Sequence, residues 1–266
     1  MHRLLHMGDK LQITVRRRAS AAALLAFLVS LVLLVPVGAA QAAPQYSLWY
    51  LYNAGSVQYA HRSGISVDSG AHTAYAEVRR SNFSTSPINW LGANARLYYG
   101  TAMCKQSGII YNGFARVTQV ATTSYGGCAT GNAYGWASFR VYNGGGYNSF
   151  TGVQSPLLDD PSFAALKTSG APDQFETNER GLTYGSAVGA ASPAAEPQLI
   201  EVIANNGKVG YAYKSALDEG MDLKTPEEVG AWQASKRGKP TVIPVYLSDG
   251  STKIGTFTHH PGVSTK

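Results

Sequence analysis

The residues that could do chemistry are few and scattered. Beyond position 42 the chain carries four histidines, His61, His72, His259 and His260. A zinc site needs three or four ligands converging with tetrahedral geometry. His259 and His260 are adjacent, and adjacent side chains on a strand point to opposite faces. They read as a surface tail, and no metal or other cofactor is expected. Paired carboxylates of the kind a glycosidase uses reduce to Asp68 and Glu77, which read as exposed, and to Asp159-Asp160, which read as hydrated. An envelope hydrolase would have to assemble its site in space from Asp68, Glu77, His61 or His72.

Local catalytic signatures are missing. Gly185-Ser186-Ala187-Val188-Gly189 puts its serine in the wrong place for a nucleophile elbow. Tyr184-Gly185-Ser186 reads as a turn. The chain has no His-Glu-x-x-His, so metalloprotease chemistry has no anchor. Asn143-Gly144-Gly145-Gly146 lacks the Lys-Ser/Thr and the βαβ setting of a phosphate loop. No catalytic residue is assigned.

Cys104 and Cys128 are the only cysteines. A metal pair or a catalytic thiol would want a C-x-x-C or a histidine at ligand spacing, and neither is there. An even count in an exported chain reads as one bridge. Closing a loop of about 25 residues would stabilise by roughly 3 kcal/mol through the unfolded state.

Export itself is read from the beginning of the chain. Arg16, Arg17 and Arg18 precede an apolar and small-residue run from Ala21 to Ala40, which ends at Ala40-Gln41-Ala42. A basic stretch, an apolar stretch and an A-x-A site are the parts of a secretory leader. Residues 1–42 are therefore expected to be a cleaved signal peptide, leaving a secreted protein with no membrane span. The run is also long enough to serve as an uncleaved anchor; its small, Pro- and Gly-bearing end favours cleavage.

From Ala43 onward the formal charge falls from +6 to +2. A strongly basic nucleic-acid footprint is thus not expected. The remaining charge is uneven: +5 over residues 43–158 and −3 over 159–266. Twelve of the sixteen tyrosines lie in the first part, along with Trp49, Trp90 and Trp136. Such a composition suits strands and turns. The expected organisation is a β-rich domain over 43–158, a Pro/Gly/Ser-bearing linker over 159–172, and a second domain over 173–266. The two are expected to move and unfold independently.

Alternation marks the strands of the first part. Ala74, Ala76 and Val78 alternate with Tyr75, Glu77 and Arg79; Ala95, Leu97 and Tyr99 with Arg96 and Tyr98; Ala137, Phe139 and Val141 with Trp136, Arg140 and Tyr142. Further runs are 46–52, 57–62, 109–122 and 146–152. Gly/Asn turns separate them, which predicts an antiparallel sandwich or jelly-roll-like domain. The outward set would then pair aromatics with arginines: Tyr75 with Arg79, Arg96 with Tyr98, Arg140 with Trp136 and Tyr142. An arginine beside an aromatic on a flat sheet can stack sugars or bind anionic polymer. The same pairs can also do no more than support a sheet.

In the second part, Leu199, Ile200, Val202 and Ile203 fall at helical spacing, closed by Asn205-Asn206-Gly207. Residues 210–214 read as a strand. Thr225-Pro226-Glu227-Glu228 is a capping box opening a helix through Trp232. Ile243, Val245 and Leu247 alternate, and Ile254 to Thr258 return as a hairpin. The whole predicts a small α+β module.

Several of these stretches carry a resemblance. They are Asn178-x-x-Gly-x-Thr-Tyr-Gly-Ser186, Ser192-Pro193-x-x-Glu196-Pro197-x-Leu199-Ile200, Gly207-x-x-Gly-Tyr211, Thr225-Pro226-Glu227-Glu228, Ile243 to Tyr246 with Asp249-Gly250, and Ile254-Gly-x-Phe257. Together they resemble a C-terminal module of secreted two-domain proteins of Gram-positive bacteria. Ala95-Arg-Leu-Tyr98 and Ser107-Gly-x-x-Tyr-Asn112 resemble the part that precedes it. The resemblance implies export and this architecture, and it implies no activity and no catalytic residues. The expected function is a secreted, non-catalytic binding or surface protein that engages cell-envelope glycan or another anionic polymer. A hydrolase and a secreted antagonistic protein are the alternatives.

Overall fold

The computed structural model describes residues 44–68, 71–113, 119–124, 133–156 and 175–259. Residues 1–42, expected as a leader, Cys128, residues 159–172, expected as a linker, and His260 lie outside the described residues.

Strands come first and dominate. The early part holds β1 (Gln45–Tyr46), β2 (Tyr50–Ala54), β3 (Val57–Asp68) and β4 (Ala71–Arg80). Next are β5 (Leu91–Asn94), β6 (Arg96–Tyr99), β7 (Ala102–Gln106) and β8 (Ile110–Tyr111). β9 (Gln119–Ser124), β10 (Ala133–Gly135), β11 (Ser138–Tyr142) and β12 (Tyr147–Thr151) follow. The later part adds β13 (Glu176–Thr177), β14 (Thr183–Gly185), β15 (Leu199–Ile203) and β16 (Val209–Tyr213). After two helices, α1 (Lys214–Leu217) and α2 (Pro226–Lys236), the pair β17 (Thr241–Tyr246) and β18 (Lys253–His259) closes the series.

Among the described residues these strands form three sheets. The first runs β1-β3-β4-β9, with β2 also on β3. The second runs β12-β11-β5-β8 and is antiparallel throughout. The third runs β10-β6-β7-β15-β16-β17-β18, with β14 parallel to β15 and β13 beyond it. It is mixed, because β15 also pairs in parallel with β7. The fold is strand-rich, with antiparallel and mixed sheets and few helices.

The first two sheets and β6 share one core: Tyr59, Ile65, Ala74, Ala76 and Val78 pack with Leu91, Ala93, Leu97, Phe139 and Val141. A second core lies on the other side of β6, where Tyr98 and Met103 meet Ile200, Val202, Ile243, Val245 and Phe257. A large apolar side chain fully buried in this way contributes roughly 1.5–3 kcal/mol over exposure. The capping box forms as the sequence predicts: Glu228 N donates to Thr225 Oγ1 at 3.3 Å, and Thr225 N to Glu228 Oε2 at 3.3 Å.

One expectation is corrected. Residues 199–203 are a strand, not a helix. β15 has neighbours on both edges and buries Leu199, Ile200 and Val202. A strand covered on both faces loses its alternation, and its apolar run then mimics helical spacing. Residues 41–266 group as one compact unit. The β7–β15 pair carries one sheet from the early strands to the late ones.

Candidate functional site: an arginine–aromatic ladder

The site begins with register. β3 and β4 form a hairpin in which Asp68 opposes Ala71, and each step outward pairs the next residues. Arg62 then faces Glu77, Ala60 faces Arg79, and Gly64 faces Tyr75. Because side chains alternate across a sheet, these six share one face. Tyr59, His61, Ser63 and Ile65 share the other, against the core.

Three aromatics from outside this hairpin cover the outer face. Tyr46 on β1 sits opposite Gly64. A Cβ at Gly64 would come within 2.4 Å of the Tyr46 ring, so only glycine lets that ring lie over the strand. Trp49 comes from the connection between β1 and β2, and Phe83 from the turn after β4. The result is a linked set of cation–π contacts. The Arg62 guanidinium carbon lies 3.7 Å from the Tyr46 ring centre and 4.4 Å from that of Trp49. The Arg79 carbon lies 4.3 Å from Trp49 and 3.7 Å from Phe83. Arg62 thus links Tyr46 with Trp49, and Arg79 links Trp49 with Phe83. Contacts of this kind are worth about 0.5–1 kcal/mol each where solvent reaches them.

The two arginines are not equivalent. Arg62 donates from Nε and Nη2 to the same Glu77 oxygen, both at 2.7 Å. Arg79 donates only from Nη1, to the carbonyls of Arg80 at 3.2 Å and Ser81 at 3.4 Å. Its Nε–Nη2 edge has no partner among the described residues. Burial, and secondarily the Arg62 charge, push the Arg79 guanidinium below its ordinary pKa. The Tyr46 hydroxyl is pushed up by burial and by the nearby Glu77 carboxylate. Around the stack the surface is open and apolar: Leu48 is 79% exposed, Leu51 61% and Phe83 68%. Phe83 holds this place at φ 60°, a left-handed conformation that bulky residues rarely adopt.

Of the residues predicted for a binding face, Tyr75 and Arg79 fall here. Tyr75 packs on Tyr46 and exchanges a hydrogen bond with Ser66 Oγ at 3.0 Å. The others do not join them. Arg96 and Tyr98 on β6 are buried, and so is Arg140 on β11. Arg96 lies between Glu196 and Asp218, and Arg140 donates to the Tyr111 hydroxyl at 2.6 Å and the Leu223 carbonyl at 2.9 Å. Trp136 is half-buried, with Nε1 donating to the Gly152 carbonyl at 2.6 Å. Tyr142, half-buried on the second sheet, donates to the Gly144 carbonyl at 3.0 Å. These residues stand on three sheets. The single face expected from alternation does not exist, because β6 and β11 are covered on both sides.

The residues proposed for hydrolysis are also dispersed. Glu77 is buried under Arg62 on the outer face, not exposed. His61 points the opposite way, packed on the rings of Phe139 and Phe150 at 5.1 and 4.9 Å. Burial drives its imidazole down from 6.5 to about 4. His72 is buried, with Nδ1 against the Tyr99 hydroxyl. The Asp68 side chain lies outside what is described, as does His260. Among the described residues no group of three or more His, Cys, Asp or Glu is placed to hold a metal ion. Cys104 on β7 is buried and is not a free thiol. Also among the described residues, no helix is long and apolar enough to cross a membrane.

Sequence reasoning missed Tyr46, Trp49, Arg62 and Phe83. A signal for one of them was present. Ser69-Gly70 is a turn signal in the sequence, and a two-residue turn there would make positions summing to a constant face each other, as Arg62 and Glu77 do. Trp49 and Phe83 carry no such signal, since they arrive from irregular segments. Comparison with protein-family models, with curated proteins and with solved structures finds no match to this chain.

Proposed function

We propose that this chain is a secreted, non-catalytic binding or surface-associated protein, and that the ladder engages cell-envelope glycan or another anionic polymer. The observation that carries the reading is the stack itself. Two guanidinium groups pack on three aromatic rings, Phe83 among them exposed, and Leu48 and Leu51 on the adjoining segment are exposed as well. Exposed aromatic and apolar residues concentrated in this way mark interaction surfaces more often than scattered ones do. The first two sheets, sharing one core, are read as a sandwich that presents this face. The leader over 1–42 supplies the reading of secretion. The hydrolase alternative loses its motive among the described residues, since His61 and Glu77 point to opposite sides of one sheet.

The test is retention on purified cell walls at low salt, using residues 43–266. The unaltered protein is expected to co-sediment, and Trp49→Ala with Arg79→Gln to stay in the supernatant while keeping its circular dichroism. Failure of the unaltered protein to bind would sink the reading.

A further inference from the structure

We infer that the ladder selects oxyanion groups carried along a polymer, with Arg79 as the anchoring residue, and that it does not select neutral sugar rings. The inference rests on the reading of the ladder as a polymer-binding face and narrows it to a chemical class.

Two features of the stack decide the class. Neutral sugars bind proteins by laying their C–H faces on open aromatic faces. Here two guanidinium carbons lie within 4.4 Å of the Trp49 ring centre, and Tyr46 and Phe83 each carry one at 3.7 Å. A cation over one face of a ring also draws its π density, which weakens the other face toward C–H groups. The aromatics therefore act as platforms that hold two cations.

The second feature is the donor count. A guanidinium presents donors in a planar fork that matches carboxylate or phosphate oxygens in pairs. Arg62 has spent its Nε and Nη2 on Glu77. Arg79 has spent only Nη1, on two carbonyls, so its Nε–Nη2 fork remains for a ligand. No carboxylate lies within ion-pair distance of Arg79 among the described residues. The depressed pKa of Arg79, from burial and from Arg62, is what an arriving anion would relieve. Glu77 plays the opposing role. It occupies Arg62 and places a negative charge on the face, so it limits the site to one strong anchor.

The test uses residues 43–266 with polyphosphate, polygalacturonate and neutral dextran as probes, at low and at moderate salt. Both polyanions, or one of them, are expected to bind with marked salt sensitivity, and binding to only one assigns the oxyanion as phosphate or carboxylate. Arg79→Gln should weaken that binding roughly tenfold to a hundredfold, and Arg79→Lys should restore part of it as a point charge without a fork. Glu77→Gln should strengthen it by freeing Arg62, a gain that no merely unfolded variant can mimic. Dextran bound as tightly as the polyanions, or wall binding lost in Trp49→Ala but untouched in Arg79→Gln, overturns the oxyanion assignment and leaves polymer binding standing. No binding to any probe or to walls overturns both.

Discussion

Arg96 and Glu196, one hundred positions apart, meet at 2.5 Å with both side chains almost wholly buried. Arg96 also reaches Asp218 at 3.1 Å, and Asp218 is held in turn by Lys214. The flanking carboxylates hold the arginine firmly protonated against the opposing effect of its burial, while burial pushes the Glu196 carboxyl above its usual range. Removing one partner of a buried pair strands the other charge, which costs about 3–5 kcal/mol. Glu196→Ala should lose stability of that order, and because the pair ties early strands to late ones, the loss should fall on a single transition. Urea unfolding followed by tryptophan fluorescence and far-UV circular dichroism checks this. Two separated transitions would restore the picture of independent halves.

Acid should act through His61. Its unfolded imidazole titrates near 6.5 and the folded one at about 4. Between those values the unfolded chain takes up a proton that the folded chain refuses. Stability should therefore fall as pH drops from 6.5 to about 4 and level off below, by up to about 3 kcal/mol. His61→Phe, which keeps a ring against Phe139 and Phe150, should flatten that part of the profile. Denaturant titrations across this range decide it, and an unchanged slope in the variant would clear His61 of the effect.

The expected bridge between Cys104 and Cys128 is open to direct measurement. Intact mass should be short by two hydrogens, and a peptide map should recover the two cysteines linked. Replacing both with serine should lower stability by roughly 2–4 kcal/mol. Since residues 41–266 pack as one unit, the loss should be global and not confined to the early strands. Recovery of both thiols free in the unreduced protein would refute the bridge.

Phe83 carries the clearest trade between stability and use. A non-glycine residue in the left-handed region costs about 1–2 kcal/mol, and its contact with Arg79 returns about 0.5–1. Phe83→Gly should therefore leave thermal stability unchanged or slightly raised, while polymer retention falls because Arg79 loses its outer cover. A variant that melts early would mean the Phe83 side chain matters to packing, and that its exposure has no bearing on binding.

How far the sequence could be read depends on what each signal measures. Short alternating runs and Gly/Asn turns report local backbone, and they located most of the early strands. The capping box at Thr225 reports four consecutive residues, and its helix forms there. The three short strands β5, β7 and β10 carry little alternation and are not among the predicted runs. Leu199 to Ile203 misled for the opposite reason, since a strand buried on both faces has no polar side to report.

What the sequence determined alone is therefore the strand-rich character and the capped helix that opens at Thr225. Which arginines face outward was settled by tertiary structure. Arg62, Arg79, Arg96 and Arg140 all look alike along the chain, each beside aromatics at strand spacing. Arg96 and Arg140 became interior because later segments bring Glu196, Asp218 and the Leu223 carbonyl to them. Arg62 and Arg79 stayed on the surface because nothing later covers the outer face of the β3–β4 hairpin among the described residues. An alternating pattern tells which side chains share a face; whether water or protein lies against that face depends on partners a hundred residues away.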